Sequence, residues 1–252
     1  MKLIINADDF GLTSLVTYGI FDCMKNGIVT STTQMMNTKA TLQASEIVRG
    51  NPKLKVGLHL NISLGKPLTN CSSLVEDGHF IKPKNLKTDD LYDEQEIYCE
   101  IKAQYDKFLE LNKRKPTHLD SHLYVHQVFE KVKRQVIRLS EEENIPVREQ
   151  ENKFYQEIYF ERRFRVLEDE TFNEVKAKFI RLINENKDKE IVEIMVHPGY
   201  IDDDILNSSS YSNPRLIEAA VLLDKDVREY IINNGIELIS YLDVEKKQDG
   251  RY

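Results

Sequence analysis

Two adjacent aspartates, Asp8 and Asp9, follow directly on an apolar run, Leu3-Ile4-Ile5, in the opening segment MKLIINADDFG. At the end of a buried strand such carboxylates repel each other and lose solvation unless a cation or a shared proton relieves them. Alone, the pair would read as a cap for the next helix. Its chemical reading comes from polar groups that end other apolar runs: His59 within 55–62, His122 after Leu119, Arg148 within 144–149 and His197 after 191–196. A carboxylate with two histidines is an oxygen and nitrogen set suited to zinc, and also to iron, manganese or cobalt, with positions open for water and substrate. One aspartate could then coordinate while its neighbour remains a base. Asp120 or Ser121 could fix the tautomer of a ligand histidine.

The elements that must position these groups alternate between strand and helix. Strands are expected at 1–9, 28–36, 55–62, 118–122, 144–149, 191–196 and 236–241, from β-branched or continuous apolar runs. Helices are expected at 13–26 with Thr13 or Ser14 as the cap, 38–50 with Leu42 and Ile47 inward, and 93–113. Three more are expected at 126–140 with Val128 in its core face, 171–184, and 213–234 behind Asn213-Pro214. In an extended 118–122 the period of two puts His118, Asp120 and His122 on one face and Leu119 on the other. This alternation predicts an α/β fold: a parallel sheet covered by helices, closed or nearly closed as a TIM-like barrel, in one domain over 1–252. Residues 63–92 read as a long insertion loop, with His79 a solvated surface histidine. Within it, Gly65-Lys66 is not a phosphate loop, because Pro67 stands where Ser or Thr is required. Residues 150–170 carry no assignable pattern, and the charged tail from Glu245 is expected to fray.

Composition narrows the function. Lys and Arg number 35 against 42 Asp and Glu, a net charge of -7 that argues against a basic nucleic-acid surface. Cys23, Cys71 and Cys99 have no paired spacing, which fits reduced thiols and a cytoplasmic location. No apolar run reaches bilayer length, and Met1 to Ile5 is too short for a signal core, so neither export by that route nor membrane insertion is expected.

Six separated segments carry a resemblance: Asn6-Ala-Asp-Asp-Phe-Gly11, Gly27-Ile-Val-Thr-Ser-Thr-Thr33, Gly57-Leu-His59, Gly65-Lys-Pro-Leu68, Lys115-Pro-Thr-His-Leu-Asp-Ser-His122 and His197-Pro198. In order and spacing they resemble the YdjC-like carbohydrate deacetylases, which include chitooligosaccharide deacetylase, from Met1 to about Tyr241. The resemblance implies a deformed (β/α) barrel related to the polysaccharide deacetylases. It also implies a hydrolase that removes the N-acetyl group from an acetylated amino sugar such as a chitooligosaccharide, free or phosphorylated. Carried over by position, Asp9, His59 and His122 would hold a divalent ion, zinc or magnesium. Asp8 would be the general base, oriented by Arg148, and His197 the general acid. The family commonly continues after Asp-Ser-His with His-His-Val-His, whereas this chain has His122-Leu123-Tyr124-Val125-His126. Tyr124 could stack on a pyranose ring there, and substrate choice could differ accordingly. A non-haem iron oxygenase and a sugar-binding barrel without turnover are the alternatives. The resemblance leaves a homodimer open.

Overall fold

The computed structural model describes residues 1–150 and 155–244. The first half alternates strand and helix: β1 (Lys2–Phe10), α1 (Ser14–Asn26), β2 (Ser31–Gln34), α2 (Thr41–Gly50) and β3 (Val56–Leu60). The insertion holds a small hairpin, β4 (Val75–Glu76) and β5 (His79–Phe80), before α3 (Glu94–Asn112) and β6 (Leu119–Ser121). Next come α4 (Val125–Val128), α5 (Glu130–Glu143), β7 (Tyr159–Glu161), α6 (Phe172–Glu185) and β8 (Ile191–Val196). The last elements are α7 (Asp203–Ser208), α8 (Asn213–Leu223), α9 (Lys225–Asn233) and β9 (Glu237–Leu238).

The main sheet runs β6-β3-β2-β1-β8-β7, with every neighbouring pair parallel. Val147 extends it beyond β6 through a single parallel bridge to Leu119, and β9 pairs with Lys2 and Leu3 of β1. Among the described residues no ladder joins β7 to the Val147 side, so the expected α/β parallel sheet is present as a curled half-barrel, the deformed TIM-like form. In a flat sheet, β6 and β1 would stand about 14 Å apart, three strand spacings. Instead, His122 just past β6 reaches Asp9 on β1 at 3.1 Å, which requires a strongly curled sheet.

The strand period sorts side chains between the helices and the lumen. Leu3, Ile5 and Ala7 of β1, Leu58 and Leu60 of β3, Leu119 of β6 and Val192, Ile194 and Val196 of β8 pack in the main core, with Val16 and Ile20 of α1. The alternate positions, Asp8, His59, His118, Asp120 and Glu193, are buried inside the barrel, and ion pairs to Arg148 and between His59 and Asp120 join all of them but His118. Ile4, Ile191, Ile239, Tyr241 and Val244 form a second apolar cluster that floors it. Two close approaches require glycine. A Cβ on Gly57 would lie 2.6 Å from the His118 ring, and one on Gly19 would lie 2.7 Å from Gly199, where α1 seats the turn after β8.

Several expected boundaries move. The strand expected at 144–149 is reduced to the Val147 bridge, and that at 236–241 to β9 followed by a turn at Tyr241–Asp243. The helix expected at 126–140 breaks at Phe129, whose backbone is extended, and that at 213–234 breaks at Asp224, which caps α9 by accepting from Val227. Leu42 and Val128 were placed inward, but each is 63% exposed; Ala44, Ser45 and Val48 make the inner face of α2. The unassigned 150–170 stretch contains β7, and α7 lies between β8 and α8 where no helix is expected. His79 is exposed, as expected. The tail from Glu245 lies outside the described residues.

Candidate metal centre and active site

Adjacent residues on a regular strand face opposite sides, so Asp8 and Asp9 should not share a lumen. They do because β1 is bulged at its end. Its register with β2 slips between Ala7 and Phe10, and Asp9 takes a left-handed φ of 71°, a conformation Asp tolerates better than most residues. Asp8 therefore points into the barrel, and Asp9 turns to the rim above it.

Asp9 Oδ1 lies 3.1 Å from His122 Nδ1 and 3.3 Å from His59 Nε2. Its other oxygen accepts from Arg215 Nη2 at 2.7 Å. The ligand atoms of Asp9, His59 and His122 all lie within 4.8 Å of one another. His59 Nδ1 donates to Asp120 Oδ1 at 2.7 Å, which aims Nε2 at Asp9. That Nε2 is buried and has no hydrogen-bond partner. Asp120 Oδ2 in turn accepts from Thr33 at 2.8 Å and stands 3.0 Å from Arg148.

Arg148 is the hub below. Its Nη1 and Nη2 grip the two oxygens of Asp8, each at 2.7 Å, and its Nε donates to Glu193 at 2.8 Å. Tyr241 Oη closes the base by donating to Glu193, and the Tyr241 ring stacks on His118 with centroids 3.7 Å apart. His126, four positions after His122, points away from this site. Its Nε2 donates to the carbonyl of Arg148 at 3.2 Å and its Nδ1 pairs with Ser121, so it anchors the backbone that carries the hub.

The electrostatics follow from burial and charge. Asp8 and Asp9 are buried, which alone would raise them; Arg148 on Asp8, and Arg215 and His122 on Asp9, hold both well below the usual carboxylate range. Burial opposes the charged form of His59, yet Asp120, Asp9 and Asp8 outweigh it and push the ring up to about 10. Asp8, Asp9 and Asp120 thus face Arg148, Arg215 and a charged His59 ring, and a cation held at His59 Nε2 would take the place of that ring's second proton. Burial pulls His197 down to about 4 despite Asp9 and Asp8. Glu193 and Glu218 are both lifted to about 7, chiefly by burial.

The sequence-derived candidates converge here: Asp9, His122 and His197 line a cavity of about 660 Å³, while Asp8, His59 and Arg148 lie buried beneath or beside it. The His118, Asp120, His122 stripe shares one side of its strand, but only His122 reaches the cavity wall; Asp120 supports His59, and His118 packs at the base. Sequence reasoning missed Arg215, Glu193 and Glu218. Each carried a signal: Glu193 interrupts the apolar strand Ile191–Val196, and Arg215 sits in the first turn of α8, where the helix dipole disfavours a cation. Glu218, one turn further along α8, accepts from the His197 backbone N–H at 2.5 Å and from Tyr211 Oη, fixing the turn that carries His197.

An orphaned imidazole nitrogen facing a carboxylate oxygen and a second imidazole, on a curled α/β sheet, is a donor set that could hold a divalent ion. The YdjC-like protein family matches residues 2–233, and the chain belongs to that family. It is 43% identical to carbohydrate deacetylase 2 of Listeria innocua serovar 6a, across 98% of this chain and 100% of that protein. It is 35% identical to the chitooligosaccharide deacetylase of Escherichia fergusonii, across 96% and 98% of the two chains. A crystal structure from Enterococcus faecalis V583, described as a candidate cellobiose-phosphate cleavage protein, superposes with a TM-score of 0.83 at 30% identity, covering 96% of this chain and 97% of that one.

Proposed function

We propose that the protein is a divalent-metal-dependent deacetylase that hydrolyses the acetamide C–N bond of an N-acetylated amino sugar, releasing acetate and the free amine. The observation that carries this reading is the convergence of Asp9 Oδ1, His59 Nε2 and His122 Nδ1 on one point beside an arginine-clamped carboxylate, at a cavity of sugar size. The names of the Listeria innocua and Escherichia fergusonii relatives support it.

Asp9, His59 and His122 hold the ion, zinc or magnesium, and two imidazoles favour zinc. Bound there, it supplies Lewis acidity to the acetyl carbonyl. Asp8 is the general base: the Arg148 clamp keeps it ionised and fixes its direction, ready to take a proton from the attacking water. His197 protonates the leaving nitrogen. Because burial keeps it neutral at pH 7, it first takes up a proton from solvent and passes that one to the nitrogen, while the water proton on Asp8 returns to solvent, so the protons balance over the cycle.

The substrate we propose is an N-acetylated chitooligosaccharide bearing a phosphate. Lys82, Lys84, Arg162, Arg165 and Arg215 line the cavity, and Asp9 is the one carboxylate among the described lining residues. This balance, inverted from the net charge of -7, suits an anionic sugar, as does the description of the Enterococcus faecalis protein. Metal analysis combined with acetate-release assays on free and phosphorylated N-acetylglucosamine oligomers tests both parts. Metal-loaded protein that releases no acetate from any of them overturns the activity, and equal kcat/KM on free and phosphorylated forms overturns the phosphate.

A further inference from the structure

Leu123 and Tyr124 take left-handed backbone conformations in succession, with φ 54° and 58°. They are the only consecutive non-glycine pair of this kind among the described residues. Most other positive φ values have ordinary structural explanations: Lys113 and Asn144 end helices, Asp77 turns the β4–β5 hairpin, and Asp9 forms the bulge. Tyr124 stands just before α4, but its side chain makes no capping hydrogen bond, and Leu123 borders no α-helix. The chain must pass from His122 at the rim to His126 in the interior, and a glycine would make that turn without strain. Leucine instead leaves its side chain 54% exposed on the cavity wall, a position that returns no packing to the fold. Tyr124 lines the same wall, its ring tilted against Phe160 with centroids 6.5 Å apart.

We propose that Leu123 and Tyr124 form an apolar platform that receives the C–H face of a pyranose ring beside His122, with Leu123 the residue that sets which sugar is accepted. This rests on the amino-sugar reading above. A pyranose presents one face of C–H groups, and flat apolar and aromatic surfaces bind it without competing for the cation. The strain holds the platform one residue from a ligand of the ion, so the ring is placed by the same turn that places His122.

The test uses metal-loaded full-length protein and N-acetylglucosamine trimers, free and phosphorylated, with affinity measured by calorimetry in an Asp8→Asn background and KM and kcat measured with Asp8 intact on whichever form binds more tightly. Leu123→Gly relieves the left-handed strain, and Leu123→Asn tolerates it while replacing the apolar surface with a polar one of similar size. Both are expected to weaken binding and raise KM about tenfold, a loss of about 1.4 kcal/mol, with kcat within about twofold of the parent and a thermal midpoint no lower. A purely structural turn would leave affinity and KM unchanged whatever the midpoint does, and that outcome overturns the proposal, as does a parent that binds no sugar. Binding that depends on Leu123 without acetate release by the protein with Asp8 intact would leave the platform standing and overturn the deacetylase reading. Acetate release with affinity indifferent to Leu123 would do the reverse.

Discussion

Arg215 Nη2 lies 2.7 Å from Asp9 Oδ2, joining two buried residues separated by 206 positions in the chain. The arginine occupies one carboxylate oxygen and leaves the other to the two histidines, so it sets which face of Asp9 a cation meets. Removing one partner of a buried ion pair strands the other, at a cost of about 3–5 kcal/mol. Arg215→Met is therefore expected to lower unfolding stability by that amount in urea titrations and to weaken metal binding. Arg215→Lys should recover part of the stability but less of the activity, since a point charge does not reproduce a guanidinium held also by the carbonyl of Tyr211.

Asp8→Asn keeps the shape of the side chain but removes its charge. Acetate release should fall by about 10² to 10⁴, the usual contribution of a positioned base, while metal content measured on the purified variant stays at the parent level because Asp9, His59 and His122 are untouched. A variant that loses the ion along with activity would reassign Asp8 as a ligand.

Stripping divalent ions with a chelator should abolish turnover and lower the thermal midpoint, and both should return on adding zinc. At a free concentration one hundred times Kd the ion stabilises the fold by about 2.7 kcal/mol. In His59→Gln, which removes the orphaned nitrogen, that increment should largely vanish.

His126 supplies a pH test away from the ion. Burial holds it down at about 3, against 6.5 unfolded. Between those values the unfolded chain binds a proton that the folded one refuses, so its contribution to stability is complete above pH 6.5 and is lost as pH falls toward 3. From pH 7 to pH 5 this residue should remove about 2 kcal/mol. Glu193 and Glu218, raised to about 7, oppose it, because they gain stability on acidification over the same range. The measurement is therefore the difference between parent and His126→Gln: the variant should lose about 2 kcal/mol less over that interval in denaturant titrations.

The placement of polar residues after apolar runs made the site legible before any coordinates, since a parallel sheet under helices gathers the carboxyl ends of its strands at one mouth. What could not be read was everything set by a local departure from regularity. The β1 bulge lets neighbouring aspartates share a lumen, whereas strict alternation would separate them. The spacing of His122 and His126 would put both on one helix face, but the left-handed pair between them sends one to the rim and the other to the carbonyl of Arg148. Short strands were overextended because β-branched runs such as 28–36 continue past the last ladder hydrogen bond into buried coil. The openness of the barrel depends on which strands fail to pair, and hydrophobic pattern does not encode that.

The order in which the chain is made gives the central strand a further consequence. β1 emerges first, yet its neighbour β8 pairs with it from nearly two hundred residues away, and the guanidiniums that neutralise Asp8 and Asp9 arrive 140 and 206 positions later. Until then the nascent chain carries two adjacent carboxylates without their arginine partners, on a segment whose burial is costly unless a cation or a shared proton relieves them. Native-like burial of β1 is thereby favoured by arrival of the arginines, so that folding intermediates are expected to sequester β1 fully only once Arg148 and Arg215 have joined Asp8 and Asp9.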